Sequence, residues 1–122
     1  MENNRKALGS KGEELAVQYL KKKGYKVIER NYHCQAGEID LVAREGHTLV
    51  FVEIKARSSL DFGLPQDAVD RFKQKKICRA ATAYLAEHRL TEDIAARFDV
   101  VAVRLTPSGP DIELIKDAFQ IE

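Results

Sequence analysis

The sequence predicts an α/β domain with the element order αβββαββ. Three observations carry that prediction: apolar stripes of helical period around residues 15–20 and 77–85, five short runs rich in Val, Ile and Leu, and turn residues set between them. At 122 residues the chain is near the commonest domain size, so residues 1–122 read as a single domain with a real core.

The first helix begins, on this reading, at Ser10-Lys11-Gly12-Glu13, a capping box with Ser10 as N-cap and Glu13 at the third helical position. Leu15, Ala16, Tyr19 and Leu20 form its apolar stripe, and Gly24 is its left-handed terminator. Lys21 to Lys23 suit the negative end of the helix dipole. Three strands follow: YKVIERN (25–31), EIDLVAR (38–44) and TLVFVEIKAR (48–57), the last two joined in a hairpin by Glu45-Gly46. SSLDFGLP (58–65) reads as a loop, and Pro65 is placed to open a second helix. That helix carries Ala68, Val69 and Phe72, then Ile77, Ala80, Ala81, Tyr84 and Leu85. The step from Phe72 to Ile77 changes the phase of the stripe, which predicts a bend or break. FDVVAVRL (98–105), a TPSGP turn and DIELIK (111–116) supply the last two strands.

The composition is ordinary globular, 44% hydrophobic and 32% charged, which excludes a disordered or collagen-like chain. No apolar run approaches the roughly 20 residues of a membrane span. The polar start MENNRKALGSKGEE lacks the apolar segment of a secretory signal, so a cytoplasmic location is expected. Cys34 and Cys78 fit no CxxC spacing and are expected as reduced thiols; His33, His47 and His88 form no HExxH pattern. The net charge of +1 conceals basic clusters at 21–23 and 73–76. They read either as solvated helix faces or as phosphate contacts.

The most informative stretch is VFVEIKAR (50–57). Glu53 and Lys55 are two apart and share one strand face, while Val50, Val52 and Ile54 fill the other. Leu49 and Phe51 continue the charged face. A strand apolar on both faces is normally central, where unpartnered charges are expensive. With Glu45-Gly46 as a two-residue loop, Arg44 pairs with His47 and Asp40 lies opposite Phe51. Asp40 is then a diagonal neighbour of Glu53, roughly 7–8 Å away along the backbone. An odd loop length would place Asp40 on the opposite face. The same register sets Glu38 opposite Glu53, as an outer acid or merely a residue at the strand's entrance. An exposed or purely structural Glu–Lys pair is the plain alternative.

Asp40, Glu53 and Lys55 together suit phosphodiester hydrolysis. Two hard carboxylates suit Mg²⁺, or Mn²⁺, which keeps waters and takes substrate phosphate as further ligands. A lysine beside them orients an attacking water or stabilises transition-state charge. D-x(12)-E-I-K resembles the pattern of the PD-(D/E)xK nuclease superfamily. Over a wider span, GSKGEELAVQYLKKKGYKVIERN, GEIDLVA, LVFVEIKAR and FGLPQDAV are similar to the YraN-like family of small bacterial proteins, from about residue 9 to 105.

That resemblance implies a restriction-endonuclease-like fold, a three-layer α/β/α arrangement around a mixed central sheet. It implies a DNA endonuclease in which Asp40 and Glu53 bind the metal and Lys55 is the catalytic lysine. The proline expected before the acid is absent; Ile39 stands there. Glu13 matches the helix acid of the Holliday-junction-resolvase-like branch, although the capping box explains the same residue. Glu14 is expected to face solvent. Arg57, Lys73, Lys75 and Lys76 are candidate nucleic-acid contacts, and Gln66 a candidate visitor to the site. The expected activity is cleavage of DNA, with branched or processed DNA as a possible substrate. The competing expectations are a catalytically silent DNA-binding or scaffold protein and a protein-interaction module.

Overall fold

A computed structural model describes residues 2–58, 69–90 and 94–120, with side chains from residue 9 onward. The elements are α1 (Glu2–Lys22), β1 (Lys26–Cys34), β2 (Gly37–Glu45), β3 (Thr48–Ser58), α2 (Arg71–Glu87), β4 (Ala95–Thr106) and β5 (Gly109–Phe119). The order αβββαββ is the one the sequence predicts. One open sheet runs β1-β2-β3-β4-β5; β3 and β4 are parallel and every other neighbouring pair is antiparallel. The parallel pair needs a crossover, and α2 lies within it.

Alternation along β3 divides the core in two. Val50 and Val52 join Leu41, Ala43, Val101 and Val103 beneath Ala16, Val17 and Leu20 of α1. Leu49 and Phe51 face the other way, with Val42, Phe98 and Val100, against Ile77, Ala80, Ala81 and Tyr84 of α2. The layers are therefore α/β/α. Each large apolar side chain buried this way contributes about 1.5–3 kcal/mol. On the α2 face an aromatic chain crosses the sheet: Tyr84 meets Tyr32 and Phe51 edge-on at 5.1 and 5.7 Å, Phe51 stacks on Phe98, and Phe98 on Phe119.

The helix ends correct two expectations. The first helix begins at Glu2, so Ser10 and Glu13 lie inside it and form no capping box. Glu2, Arg5, Lys6, Ala7 and Leu8 are good helix formers that carry the helix past Gly9. Its end is as expected: Gly24 adopts φ +94°, and the Tyr25 N–H bonds back to the Leu20 carbonyl at 3.0 Å. The second helix is continuous from Arg71 to Glu87, with no bend after Phe72. Asp70 caps it, accepting from the Lys73 N–H at 2.8 Å, and Phe72 falls off the buried stripe altogether. The expected loop SSLDFGLP, Pro65 as helix opener and Gln66 lie outside the described residues, except Ser58, the last residue of β3.

The hairpin register also differs. Glu45 pairs with Thr48, leaving Gly46 and His47 as the loop, with Gly46 at φ +60° where such a turn needs glycine. The predicted pairing is thereby displaced by two residues. A displacement of two keeps every side chain on its face, so Val42 rather than Asp40 opposes Phe51.

A second group of charges lies on the α1 face. Asp99 is fully buried and accepts from the Tyr25 hydroxyl at 2.8 Å, Arg97 Nε at 2.9 Å and the Asp117 N–H at 3.0 Å. Arg97 also reaches Glu45 at 2.6 Å, and Lys116 holds the other Glu45 oxygen at 2.9 Å. Burial, followed by the bond to Asp99 and its charge, raises the Tyr25 hydroxyl well above its ordinary pKa. Glu45 is lowered, first by its bond to Lys116 and then by Arg97.

A lowered carboxylate stabilises the fold above its unfolded pKa and loses that contribution as pH falls toward the folded one. Glu45→Gln is therefore expected to flatten the loss of stability between roughly pH 5 and 3, measured by urea unfolding at stepped pH. An unchanged acid limb would refute the assignment. α1 approaches β3 so closely that a Cβ on Gly12 would sit 2.5 Å from the Ala56 Cβ. Gly12→Ala is expected to destabilise by about 1–3 kcal/mol despite its better helix propensity, with Ala56→Gly restoring part of the loss in the double variant.

Candidate functional site

The register brings Asp40 level with Glu53, one step beyond the Leu41–Val52 pair. At that step a side chain takes a backbone donor on the partner strand: the Ile54 N–H donates to Asp40 Oδ2 at 2.8 Å. This bond fixes Asp40 beside Glu53. Glu53 is only 6% exposed, and Lys73 from the first turn of α2 reaches one of its oxygens at 2.6 Å. The Asp70 cap sets the backbone of Lys73 where its side chain runs down to the sheet.

The electrostatics follow from two acids sharing one cation. Burial, and after it the negative charge of Glu53, pushes Asp40 up to about 7, against the pull of the Ile54 N–H and Lys73. Burial alone would lower Lys73, but its bond to Glu53 and the charges of Glu53, Asp40 and Asp70 leave it raised. With both carboxyls ionised the cluster is one positive charge short.

Lys55 lies two residues beyond Glu53 on the same strand face, roughly 6.6 Å along the chain. Among the described residues it makes no ion pair. It opens onto a cavity of about 210 Å³ lined also by Arg57, Ala102, Arg104, Asp111 and Glu113. The parallel register explains this lining, since Lys55 pairs with Ala102 and Arg57 with Arg104. Asp40, Glu53, Lys55 and Arg57 thus share the α2 side of the sheet.

Other candidates lie elsewhere. Glu13 takes Arg30 at 3.1 Å and Asn31 at 3.2 Å, from a helix that packs on the opposite face. Asn31 lies between the Arg30–Leu41 and Tyr32–Ile39 pairs, level with Asp40, so Glu13 reaches only the rim of the carboxylate pair. Glu14 is exposed but is also bound by Arg30, at 2.6 Å. Glu38 is not opposite Glu53; it pairs across the neighbouring strand with His33 at 3.2 Å. Lys76 sits over the Phe72 ring at 4.8 Å. Cys34 and Cys78 are free thiols.

The sequence presents Lys73 as a candidate nucleic-acid contact; the structure sets its ammonium against Glu53 instead, which is the main addition to the site. Asp99 was missed, although FDVVAV carries the signal that singled out Glu53: an acid in a strand apolar on both faces. Among the described residues no group of three or more His, Cys, Asp or Glu is placed to hold a metal, so any ion here would rest on Asp40 and Glu53. No described helix is long and apolar enough to cross a membrane.

The fold and site define an α/β protein with a mixed, open five-stranded sheet and a carboxylate pair on its central strands. Residues 12–103 match the model of "Uncharacterised protein family UPF0102". The chain is 50% identical over 121 residues to a UPF0102 protein of Geobacter metallireducens, covering 99% of this chain and 98% of that one. A UPF0102 protein of Syntrophus aciditrophicus is 52% identical over 113 residues, covering 93% and 88%. One from Caldanaerobacter subterraneus subsp. tengcongensis is 46% identical over 112 residues, covering 92% and 91%. The chain belongs to the UPF0102 family.

Removing the shared cation tests the geometry directly. Lys73→Gln leaves Glu53 buried beside Asp40 without its partner and is expected to cost about 1–3 kcal/mol in urea unfolding at neutral pH. Lys73→Arg should lose less. Equal stability of Lys73→Gln and wild type would mean that the ion pair does not support the fold.

Proposed function

We propose that the chain is a divalent-metal-dependent nuclease that hydrolyses phosphodiester bonds of DNA, branched or processed DNA being among the substrates to be tried. One observation carries this reading: Asp40 and Glu53 stand side by side, one cation short, with Lys55 next along the same face. The resemblance of D-x(12)-E-I-K to the PD-(D/E)xK pattern, and of the longer motifs to the YraN-like family, supports it.

The donor set fits a hard divalent ion. Two carboxylates are the usual protein share of a Mg²⁺ site, the remaining positions going to water and phosphate, and Mn²⁺ accepts the same ligands. When bound, the ion supplies polarisation of the phosphodiester and charge neutralisation at the leaving oxygen. The Ile54 N–H keeps one oxygen of Asp40 occupied and so aims the other. Lys55 orients the attacking water and stabilises the negative charge that grows on the phosphoryl oxygens. Arg57, two residues further along the same face, meets a neighbouring phosphate.

The 2.6 Å contact of Lys73 with Glu53 favours a second reading. There the ammonium stands in place of a metal, and the protein binds DNA without cutting it.

The deciding experiment incubates purified protein with labelled single-stranded, duplex, flap and four-way DNA, with Mg²⁺, with Mn²⁺ and with chelator. Metal-dependent cleavage that falls at least 100-fold in both Asp40→Ala and Glu53→Ala is expected, a loss of about 2.7 kcal/mol or more in transition-state stabilisation. Cleavage that survives either substitution would assign the activity to a contaminant or another site. Binding without cleavage, indifferent to metal, would favour the second reading.

A further inference from the structure

We infer that the N-terminal half of α2 seats an unpaired strand of nucleic acid, with a base stacked on Phe72 and phosphates following Arg71, Lys75 and Arg79. The inference rests on the nuclease reading for its purpose, since it names the substrate class that would reach Asp40 and Glu53. Its observations are independent of that site's chemistry.

The charge of α2 is the first. Arg71, Lys73, Lys75, Lys76 and Arg79 are its cations, Glu87 is its one acid, and its first turn holds no acid at all. Helix N-termini favour anions, so cations gathered there oppose the local preference of the helix. Glu53 accounts for Lys73. Among the described residues Lys75, Lys76 and Arg79 have no ion-pair partner. Arg71, Lys75 and Arg79 recur every four residues, one positive charge about every 6 Å along the axis. They line an open groove of about 470 Å³ with Gln74, Thr82 and Gln120, whose side chains offer hydrogen bonds but no negative charge. A polyanion laid along α2 satisfies that arrangement.

The second observation is Phe72, 70% exposed on the first turn of the helix. A singly exposed aromatic is common on protein surfaces, but this one is placed by two neighbours. Lys73, the next residue, touches Glu53, so the ring rises from the same helical turn that supplies the cation of the carboxylate site. The Lys76 ammonium lies 4.8 Å from the ring centroid, pairing a flat apolar face with a positive charge. That pairing suits a nucleobase and its phosphate. Bases within a duplex are stacked on each other and do not present a face, so the ring selects strands with unpaired bases.

The test measures binding with metal chelated, by fluorescence anisotropy of the full-length protein. The probes are a labelled oligothymidylate of about a dozen nucleotides, a duplex of equal length, and an oligomer of abasic residues. Wild type is expected to bind the oligothymidylate more tightly than the duplex. Phe72→Ala should weaken oligothymidylate binding roughly 5- to 150-fold, leave the abasic oligomer unchanged and keep the wild-type Tm, while Phe72→Trp retains affinity. Lys75→Gln with Arg79→Gln should make the salt dependence on single strands shallower by roughly 1.4 in logarithmic slope. Equal binding of single strand and duplex, no effect of Phe72→Ala, or failure to bind any nucleic acid at low salt (the outcome if an acidic protein is the true partner) would each overturn the inference. Absence of cleavage with Mg²⁺ would sink the nuclease reading and leave this binding result standing.

Discussion

The contact between Lys73 and Glu53 joins the two halves of the chain's chemistry. β3 is covered by α1 on one face and α2 on the other, so a carboxylate in its middle loses most of its hydration when the layers close. The ammonium that compensates it comes from the first turn of α2, whose direction is set by the Asp70 cap. Placement of α2 and solvation of Glu53 are thus one constraint. Asp40 enters the same constraint from β2, because the Ile54 N–H fixes its carboxyl beside Glu53. A group of three charged side chains drawn from β2, β3 and α2 requires all three elements to be docked.

The opposite face carries a charge cluster of a different balance. Asp99 takes four hydrogen bonds, from Tyr25, the Asp117 N–H and two nitrogens of Arg97; Arg97 bridges it to Glu45, and Lys116 completes the balance. Every buried side-chain polar atom among the described residues has a partner. Asp40 and Glu53 differ in setting two carboxyls against one ammonium, and Asp40 bears the cost in its raised proton affinity. The contrast between a balanced cluster and an unbalanced one, on two faces of one sheet, sets the carboxylate pair apart from an ordinary buried salt bridge.

Much of the frame was legible because periodicity reports burial directly. Val50, Val52 and Ile54 alternating with Leu49 and Phe51 marked β3 as central, and Gly24 marked the end of α1. The face of Asp40 was also legible, since parity survives a two-residue displacement of register. The register itself was not. Both Glu45-Gly46 and Gly46-His47 are acceptable two-residue loops, and the choice depends on which one places Gly46 at the position requiring positive φ. The start of α1 is ambiguous in the sequence, because Ser10-x-x-Glu13 has the capping pattern while the residues before it also propagate a helix. The partnership of Lys73 with Glu53 spans twenty residues and a change of element, and no local pattern encodes it. The same holds for Tyr25 and Asp99.

Both outer strands of the open sheet depart from regular pairing: β1 between Val27 and Glu29, and β5 where it follows Phe98 to Val100 of β4, near Asp117 at φ +52°. Exposed charges stand on each, among them Lys26 and Arg30 on β1 and Asp111, Glu113 and Lys116 on β5. A flat outer strand offers a row of free amides and carbonyls to any similar chain that meets it. Bulges twist that row out of line, and charged side chains make docking of a second strand costly. An unclosed sheet guarded this way resists edge-to-edge aggregation at both borders. The fold can therefore keep its sheet unclosed, with a helix on each face, without inviting strand addition at its margins.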